Sequence, residues 1–199
     1  MEIGGMIRYI TEIFEEGGIG RIILKDLFFI LLIGGILFGI SGVWPPLVAI
    51  ESESMEPNLH QGDLVFIMSN DRSGGVVTGD EVGEYYKFGG KGDVIVFGVD
   101  GNPNNGVIHR VEFWVEGGED WYDRGDPNWV VGKNCGSMLN CPAPHSGYIT
   151  KGDGNEVYDQ SQGISGPVKP SWVKGTAEAR IPWIGYIKLI FNEIVGNFI

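Results

Sequence analysis

The stretch AIESESMEPNLHQGDLVFI, residues 49–67, joins a long apolar run to the first extended segment of the chain. It carries two serines, Ser52 and Ser54, shortly before the run DLVFIM, whose apolar and β-branched residues predict a β-strand. Serine and glutamate are common in surface turns, so a turn is the simplest interpretation. Two hydroxyls so close to a membrane-like segment also raise the question of a chemical role.

Further runs of this kind recur along the chain, bounded by glycine, proline, asparagine and aspartate. They read GDVIVFGV, GVIHRVEFWVE, HSGYITKGD and PVKPSWVKGTAEARI, and each has the composition of a strand. The 33 glycines and 10 prolines among 199 residues favour strands joined by loops over long helices. The predicted fold class is therefore mainly β, in one globular domain with appendages.

The charge of the chain limits its partners. With 26 acidic and 14 basic residues, the formal net charge is −12, whereas a protein that neutralises phosphates needs the opposite excess. We therefore expect no nucleic acid among the partners. An acidic surface also suits concentrated salt, where repulsion between like charges is screened, so a halophilic source is a further expectation.

A membrane anchor is predicted at residues 27–44. The run LFFILLIGGILFGISGV contains no charged residue, and Trp44 follows it where the membrane surface would lie. Pro45 and Pro46 cannot continue a helix, so the span should end near them. A cleaved leader is the alternative, but the segment before the run is long for a leader's basic region and no clear cleavage site follows.

The distribution of basic residues predicts the orientation of this anchor. Arg8, Arg21 and Lys25 precede the anchor, whereas the next basic residue after it is Arg72. Basic residues that flank a span tend to remain on the cytoplasmic side. We therefore expect residues 1–26 in the cytoplasm and the large domain on the outer side of a single-pass protein.

The rest of the chain divides into three parts. Residues 1–26 have the apolar spacing of an amphipathic helix, which would lie at the inner membrane surface or pack on a partner subunit. Residues 45–181 contain all the predicted strands. Residues 182–199 also have helical spacing, but polar residues interrupt it and make a second span a poor interpretation. We expect there a short interfacial helix, or a helix that meets a partner in the bilayer.

Candidate catalytic residues lie in three separate segments. His109 lies in GVIHRV, a strand pattern that would hold its side chain in place, and Asp153 and Asp159 lie in ITKGDGNEVYDQ. A neutral imidazole can take the proton of a serine hydroxyl, and a carboxylate can orient the imidazole and stabilise its charge. Ser54, His109 and an aspartate would fill these roles, although such residues occur in every chain.

The order of three motifs narrows the choice. SMEP beside an apolar anchor, then IHRV, then TKGDGNEVYDQ resemble the type I signal peptidases, in the branch found in archaea and in the endoplasmic reticulum. The resemblance extends over roughly residues 44–185 and includes the ending GTAEARIPWIGYIKL. It implies a membrane-anchored, β-rich catalytic domain and a serine endopeptidase that removes signal peptides from secretory precursors at the outer face of the plasma membrane.

The same resemblance implies partners and site residues. It implies contact with the lipid bilayer and with partner subunits or the secretion translocon, and it implies no cofactor. Matched motif by motif, it assigns Ser54 as the nucleophile, His109 as the general base and Asp159 as the residue that orients the base. Asp153 falls in the family's Gly-Asp turn, where it is either a further catalytic residue or the partner of Arg110 in an ion pair.

Two features beside the proposed nucleophile stay open. Ser52 would lie on the same face as Ser54 in an extended segment, so its hydroxyl either stabilises an oxyanion or caps the turn. Glu53 stands where many family members have glycine, and GDGN replaces Gly-Asp-Asn-Asn. Because glycine adopts backbone angles that glutamate does not, Glu53 raises a question about the backbone beside Ser54.

Two cysteines, Cys135 and Cys141, lie in NCGSMLNC within the predicted outer domain. Disulfides persist outside the cytoplasm, so we expect a bond that closes a small loop. A metal site from these cysteines and His145 is the alternative, but a fourth ligand with recognisable spacing is lacking, so no metal is expected. The loop from 117 to 144 is additional to the family's core, and the resemblance implies no role for it.

Two other functions fit the same residues. A catalytically inactive, membrane-anchored β-domain could bind other envelope proteins, with Ser54 and His109 serving only the structure. A dedicated or self-cleaving processing protease would keep the chemistry and restrict the substrate. Cleavage of several unrelated secretory precursors distinguishes the three functions.

Overall fold

The computed structural model describes residues 19–81, 83, 85–187 and 189–190. The chain divides into two units, residues 1–40 and residues 41–199. In the first unit the described residues form a helix. The second unit contains the β-sheet and the candidate functional site.

Helix α1 spans Ile19–Ser41. Among the described residues, its part Ile22–Ser41 is the one helix that is long and apolar enough to cross a membrane by length and composition. The helix begins before the anchor predicted at 27–44, because the charged residues Lys25 and Asp26 do not interrupt helical backbone.

The C-terminal end of α1 also differs from the prediction. Pro45 and Pro46 were expected to end the helix, but it ends at Ser41. Gly42 has a φ of +76°, a left-handed conformation that glycine adopts without strain and that commonly ends a helix. The prolines therefore lie in the connection between α1 and the first strand.

Eight strands lie among the described residues of the second unit. They are β1 Leu47–Ala49, β2 Leu64–Met68, β3 Tyr86–Lys87, β4 Gly90–Lys91, β5 Val94–Gly98, β6 Gly106–Val115, β7 Gly147–Lys151 and β8 Val173–Ile181. Six of them form one antiparallel sheet in the order β1-β2-β8-β5-β6-β7, and β3 and β4 pair separately. The predicted mainly β fold is confirmed, and every segment predicted as a strand contains one.

The register of β6 determines which side chains meet. His109 lies opposite Ile95 of β5, Arg110 lies opposite Lys151 of β7, and Val111 lies opposite Thr150. The register with β7 then shifts, so that Glu112 lies at a bulge. A bulge bends and twists the strand locally and redirects the side chains that follow it.

Three clusters of buried apolar side chains form the core. The first lies beneath the turn that carries Ser54 and contains Ile50, Met55, Leu59, Val65, Ile67, Val94, Val96 and Ala177. The second joins the 117–144 loop to β6 and β7 and contains Phe113, Val115, Trp121, Met138, Ala143, Ile149 and Tyr158. The third contains Ile95, Phe97, Val111 and Val168. The 117–144 loop is thus packed through its own buried side chains.

The chain after β8 turns into a short helix. Residues 185–187 and 189–190 are helical, as expected for a short C-terminal helix. Trp183, Ile184 and Ile187 are exposed, an arrangement that suits contact with an apolar environment. The amphipathic helix predicted within residues 1–26 and the end of the segment 182–199 lie largely outside the described residues.

Candidate active site

Ser54 lies in the turn between β1 and β2. The next residue, Met55, is fully buried and anchors the turn in the core, and its carbonyl accepts hydrogen bonds from the backbone of Asn58 and Leu59. Glu53 is not among the described residues with positive φ. The glutamate at this position therefore adds no left-handed backbone strain beside Ser54.

The GDG turn after β7 packs directly on Ser54. The carbonyl oxygen of Ser54 accepts a hydrogen bond of 2.9 Å from the amide of Gly154. A Cβ atom at Gly152 would collide with the same carbonyl oxygen, and one at Gly154 would lie 3.1 Å from the carbonyl oxygen of Glu53. Glycine is needed here because the two backbones approach too closely for a side chain.

His109, in strand β6, contacts both Ser54 and Asp159. Its side chain is buried, and its Nε2 atom lies 3.0 Å from Oγ of Ser54. Its Nδ1 atom lies 2.6 Å from Oδ2 of Asp159. With the proton on Nδ1, the imidazole donates to the carboxylate and leaves Nε2 free to accept the serine proton.

Asp159 is the first residue of a one-turn helix, α2 (Asp159–Gln162), and is fully buried. Its Oδ2 atom accepts hydrogen bonds from His109 and from Oγ1 of Thr150, the latter at 2.7 Å. Its Oδ1 atom is buried and makes no hydrogen bond to a described residue. The carboxylate is therefore held through one of its two oxygens.

Asp153 and Arg110 form a buried ion pair. Nε of Arg110 donates to Oδ1 of Asp153 at 2.7 Å, and Nη2 donates to Oδ2 at 2.6 Å. Asn58 also donates to Asp153, and the arginine donates to the carbonyl oxygens of Lys87, Phe88 and Gly92. Asp153 makes no hydrogen bond to His109 or Ser54. This geometry favours the ion-pair interpretation of Asp153 over a direct catalytic role.

Ser52 lies next to the proposed nucleophile. The two hydroxyl oxygens, Oγ of Ser52 and Oγ of Ser54, are 3.2 Å apart, and Ser52 is exposed. The two hydroxyls are thus within hydrogen-bond distance of each other. The turn that holds both residues also borders a cleft of about 1120 Å³, whose walls include Val48, Ala49, Ile67, Val96 and Ile108.

The cysteine pair lies outside this cleft. Cys135 and Cys141 form a disulfide, and Asp120 is the one acidic side chain of the described residues grouped with them. Sulfur binds metals as a thiolate, which a disulfide does not offer. His145 does not join them, because its Nδ1 bonds the carbonyl oxygen of Ser146 and its ring packs edge-on against Trp172.

Sequence reasoning missed several polar residues around the site. Thr150 and Gln160 are buried and form hydrogen bonds with each other. Thr150 also donates a hydrogen bond to Asp159. Glu112 is half-buried at the bulge in β6, and burial raises the pKa of its carboxyl to about 7, although the positive charges of Lys151 and Arg110 oppose the shift. The position of Thr150 two residues before the Gly-Asp pair was the one available signal for its role.

Comparison with known proteins identifies relatives. No family model matches the chain. The signal peptidase complex catalytic subunit SEC11C of Homo sapiens and that of Canis lupus familiaris are each 28% identical over 159 residues, which cover 79% of this chain and 62% of the relative. The chain therefore spans less than two thirds of the length of these mammalian relatives.

This chain covers a larger share of a fungal relative. The signal peptidase complex catalytic subunit SEC11 of Arthroderma benhamiae is 30% identical over 156 residues, which cover 74% of this chain and 68% of the relative. The halophilic source suggested by the charge stays a prediction, since these relatives do not bear on it. With this identity and coverage, and with the predicted fold confirmed, the chain belongs to the type I signal peptidases, in the branch of the signal peptidase complex catalytic subunits.

Proposed function

We propose that the protein is a membrane-bound serine endopeptidase that removes signal peptides from secretory precursors. The observation that carries the proposal is the line of contacts from Oγ of Ser54 through the imidazole of His109 to Oδ2 of Asp159, with distances of 3.0 and 2.6 Å. Ser54 is the nucleophile, His109 the general base and Asp159 the residue that orients the base. Membership of the signal peptidase family supports the same assignment.

The reaction follows from this arrangement. Nε2 of His109 takes the hydroxyl proton as Oγ of Ser54 attacks the carbonyl carbon of the scissile bond. The imidazolium, stabilised by the carboxylate of Asp159, then gives that proton to the leaving amine, and an ester on Ser54 remains. Water, deprotonated by the same imidazole, hydrolyses the ester and releases the signal peptide with a new carboxylate.

The tetrahedral intermediate needs a donor for its negative oxygen. Ser52 is the side chain proposed for this role, because its hydroxyl lies 3.2 Å from Oγ of Ser54. An exposed hydroxyl can rotate toward a developing charge at little cost. In other enzymes, removal of one such donor lowers the rate by about 10²–10³, so Ser52→Ala should retain measurable activity.

The cleft supports an extended apolar substrate. Its walls near the nucleophile carry small and medium apolar side chains, among them Val48, Ala49 and Val96. Strand β1 pairs on one side with β2 and is an edge strand of the sheet. Such an edge can hydrogen-bond an added strand, while small pockets select its side chains. The end of a signal peptide is a substrate of this kind.

The family and the apolar helix α1 support a proposal for the location. We propose a single-pass protein of the plasma membrane, with its N-terminus in the cytoplasm and residues 45–181 outside, as the basic residues before the anchor indicate. An archaeal source, partner subunits and contact with the secretion translocon belong to the same proposal. Ser54 follows the end of α1 by a short connection in sequence, which suits cleavage close to the membrane.

Cleavage of secretory precursors by the purified full chain tests the function. Wild type should cleave several unrelated precursors, and Ser54→Ala should cleave none while it remains folded and inserted in membranes. Cleavage of a single precursor alone would instead indicate a dedicated processing protease. Full activity of a clean Ser54→Ala variant, or no cleavage by wild type, would overturn the proposal and return the inactive binding domain to consideration.

A further inference from the structure

The 117–144 loop reaches the helix that begins with the catalytic aspartate. Tyr158, directly before Asp159, is buried against aromatic side chains of the loop. Three hydrogen bonds join the loop to this short segment: the Tyr158 amide donates to the Trp129 carbonyl oxygen at 2.8 Å, the Asp126 amide to the Tyr158 hydroxyl at 3.0 Å, and the Asn140 side-chain amide to the Gln160 carbonyl oxygen at 3.0 Å. The residues on both sides of Asp159 are thus bonded to the loop.

Asn140 is itself fixed by the loop. It precedes Cys141 of the disulfide, and its carbonyl oxygen accepts a hydrogen bond of 2.8 Å from Nε1 of Trp121. Its φ is +54°, in the left-handed region that asparagine tolerates better than most residues. Its side-chain amide also donates to the carbonyl oxygen of Ser165 at 3.3 Å. Asn140 therefore joins both ends of the turn that contains Asp159.

A second set of bonds leads from Gln160 to the carboxylate. Oε1 of Gln160 accepts from the Thr150 amide at 2.9 Å, and Nε2 donates to Oγ1 of Thr150 at 3.2 Å. Because the hydroxyl oxygen of Thr150 accepts this hydrogen bond, its own proton is free to be donated. The hydroxyl donates it to Oδ2 of Asp159 at 2.7 Å. The position of Gln160 thus determines the direction of the Thr150 hydroxyl.

The carboxylate of Asp159 depends on the surrounding residues to hold its position. Its Oδ1 atom makes no hydrogen bond to a described residue, so its own contacts fix the carboxylate through Oδ2 alone. A buried carboxylate held at one oxygen can rotate or shift unless its backbone and its neighbours are fixed. Small displacements of a catalytic group cost a large share of the rate, because the reacting atoms must stay within hydrogen-bond distance.

We propose that Asn140 is a positioning residue for Asp159, and that the disulfide-closed 117–144 loop holds the carboxylate of the triad in line with His109. The inference rests on the proposed function, since it assigns the loop a part in the same reaction. It gives a role to a segment that the family resemblance left without one. Asn140 does not touch the cleft, so the substrate's affinity should not depend on it.

The variant Asn140→Gly tests the inference. Glycine keeps the left-handed backbone and removes only the side-chain amide. The matched control is Asn134→Gly in the same loop, where the side chain caps a 3₁₀ turn at Ser137 and does not contact residues 158–165. Steady-state cleavage by the full chain in detergent, from pH 5 to 9, gives kcat, KM and the pH profile for each variant.

We expect a fall in kcat of about tenfold to a hundredfold for Asn140→Gly, with KM changed by less than about twofold. The acid-side midpoint of its kcat profile should move to lower pH, because a displaced carboxylate stabilises the imidazolium less. Asn134→Gly should match wild type in all three quantities. Asn140→Ser, which keeps a shorter donor, should be intermediate and provides a second test where Asn140→Gly does not fold.

The outcomes separate this inference from the proposed function. If Ser54→Ala is inactive while Asn140→Gly and Asn140→Ser behave like Asn134→Gly, the loop does not position Asp159 although the enzyme assignment stands. An equal fall in kcat for Asn140→Gly and Asn134→Gly also overturns the inference, since it reports a general loss of loop structure. If Ser54→Ala cleaves normally, the function itself is wrong and the positioning role is lost with it.

Discussion

Arg110 and Asp153 are bound to each other through two parallel hydrogen bonds of 2.7 and 2.6 Å, and both side chains are almost fully buried. A bidentate pair of this kind fixes the distance between two chain segments, and the other donors of Arg110 are bonded to the carbonyl oxygens of Lys87, Phe88 and Gly92. The arginine follows His109 in β6, and the aspartate lies in the turn that packs on Ser54. The pair therefore ties the strand that carries His109 to the turn that packs on Ser54.

Asp153→Asn should destabilise the fold, because it leaves the buried guanidinium without its counter-charge. Breaking a buried pair from one side costs about 3–5 kcal/mol, and we expect a loss of this order in the free energy of unfolding. The control is Glu119→Gln, which breaks the exposed pair with Arg124, and should cost less than about 1 kcal/mol.

Chemical unfolding of the purified chain, followed by tryptophan fluorescence, measures both changes. Cleavage by the fraction of Asp153→Asn that is folded should remain substantial. A variant that unfolds like wild type and yet has no activity would assign Asp153 a direct part in catalysis.

The three histidines of the chain should respond differently to substitution. His109→Ala removes the base, and we expect its cleavage rate to fall by at least about 10³. His109→Lys should be equally inactive, because a lysine beside the buried carboxylate of Asp159 would keep its charge and could not accept the serine proton.

His60→Ala and His145→Ala should cleave precursors at close to the wild-type rate. The His60 side chain is exposed, and the ring of His145 packs against Trp172 rather than in the triad. Cleavage of one precursor by all four variants under the same conditions checks the set. An inactive His145→Ala beside an active His109→Ala would require the triad to be redrawn around the loop.

The stability of the fold should depend on the ionisation of Glu112. Burial raises the pKa of this carboxyl from its ordinary 4.5 to about 7, against the opposing charges of Lys151 and Arg110. The native state then binds the proton more tightly than the unfolded state, so stability falls as the pH rises from about 4.5 to 7. Glu112→Gln should remove this loss and stabilise the protein above pH 7 by on the order of 3 kcal/mol.

Glu116→Gln, which should change the stability in the opposite direction, is the control for Glu112→Gln. Hydrogen bonds from Ser146 and Trp114 lower the pKa of the exposed Glu116 carboxyl, so its ionised form contributes stability above its ordinary pKa. Glu116→Gln should therefore lose a small amount of stability at neutral pH. Unfolding curves of both variants at pH 4.5, 6 and 8 measure the difference, and a pH-independent effect of Glu112→Gln would contradict the assigned shift.

Much of the fold and site was predictable because local chemistry determines it. The predicted strands, the apolar anchor and the ability of the two cysteines to form a disulfide are properties of short segments. The structure has a strand in each segment where one was predicted. Ser54, His109 and Asp159 were chosen from motif order, and the structure brings their side chains into contact. The end of α1 was misplaced because Gly42 leaves the helix before the prolines are reached.

The supporting residues were not predictable, since their roles depend on register between distant segments. Thr150 reaches Asp159 because β7 pairs with β6 on one side of the bulge at Glu112, and sequence does not reveal where a bulge falls. Asn140 reaches Gln160 only because the 117–144 loop folds back on the sheet. The position of Thr150 two residues before the Gly-Asp pair was a signal for its role, whereas the residues around Asn140 carry no comparable pattern.

Gly152→Ala should impair catalysis by displacing the backbone of Ser54. A Cβ atom at position 152 would collide with the carbonyl oxygen of Ser54 and lie 2.7 Å from Nδ2 of Asn155. The carbonyl oxygen belongs to the backbone, which cannot move aside as a flexible side chain can, so the turn that carries Ser54 must shift. A shift of about 1 Å is enough to lower kcat by about 10², and we expect a fall of that order.

The matched control for Gly152→Ala is Gly136→Ala. The nearest atom to a Cβ there is Oδ1 of Asn134 at 3.5 Å, an ordinary contact, and the residue lies in the 117–144 loop away from the cleft. Gly136→Ala should therefore cleave like wild type. Single-turnover cleavage separates the acylation step from product release and measures both variants directly. Equal rates for Gly152→Ala and wild type would mean that Ser54 does not need the backbone position that the GDG turn imposes, which would weaken its assignment as the nucleophile.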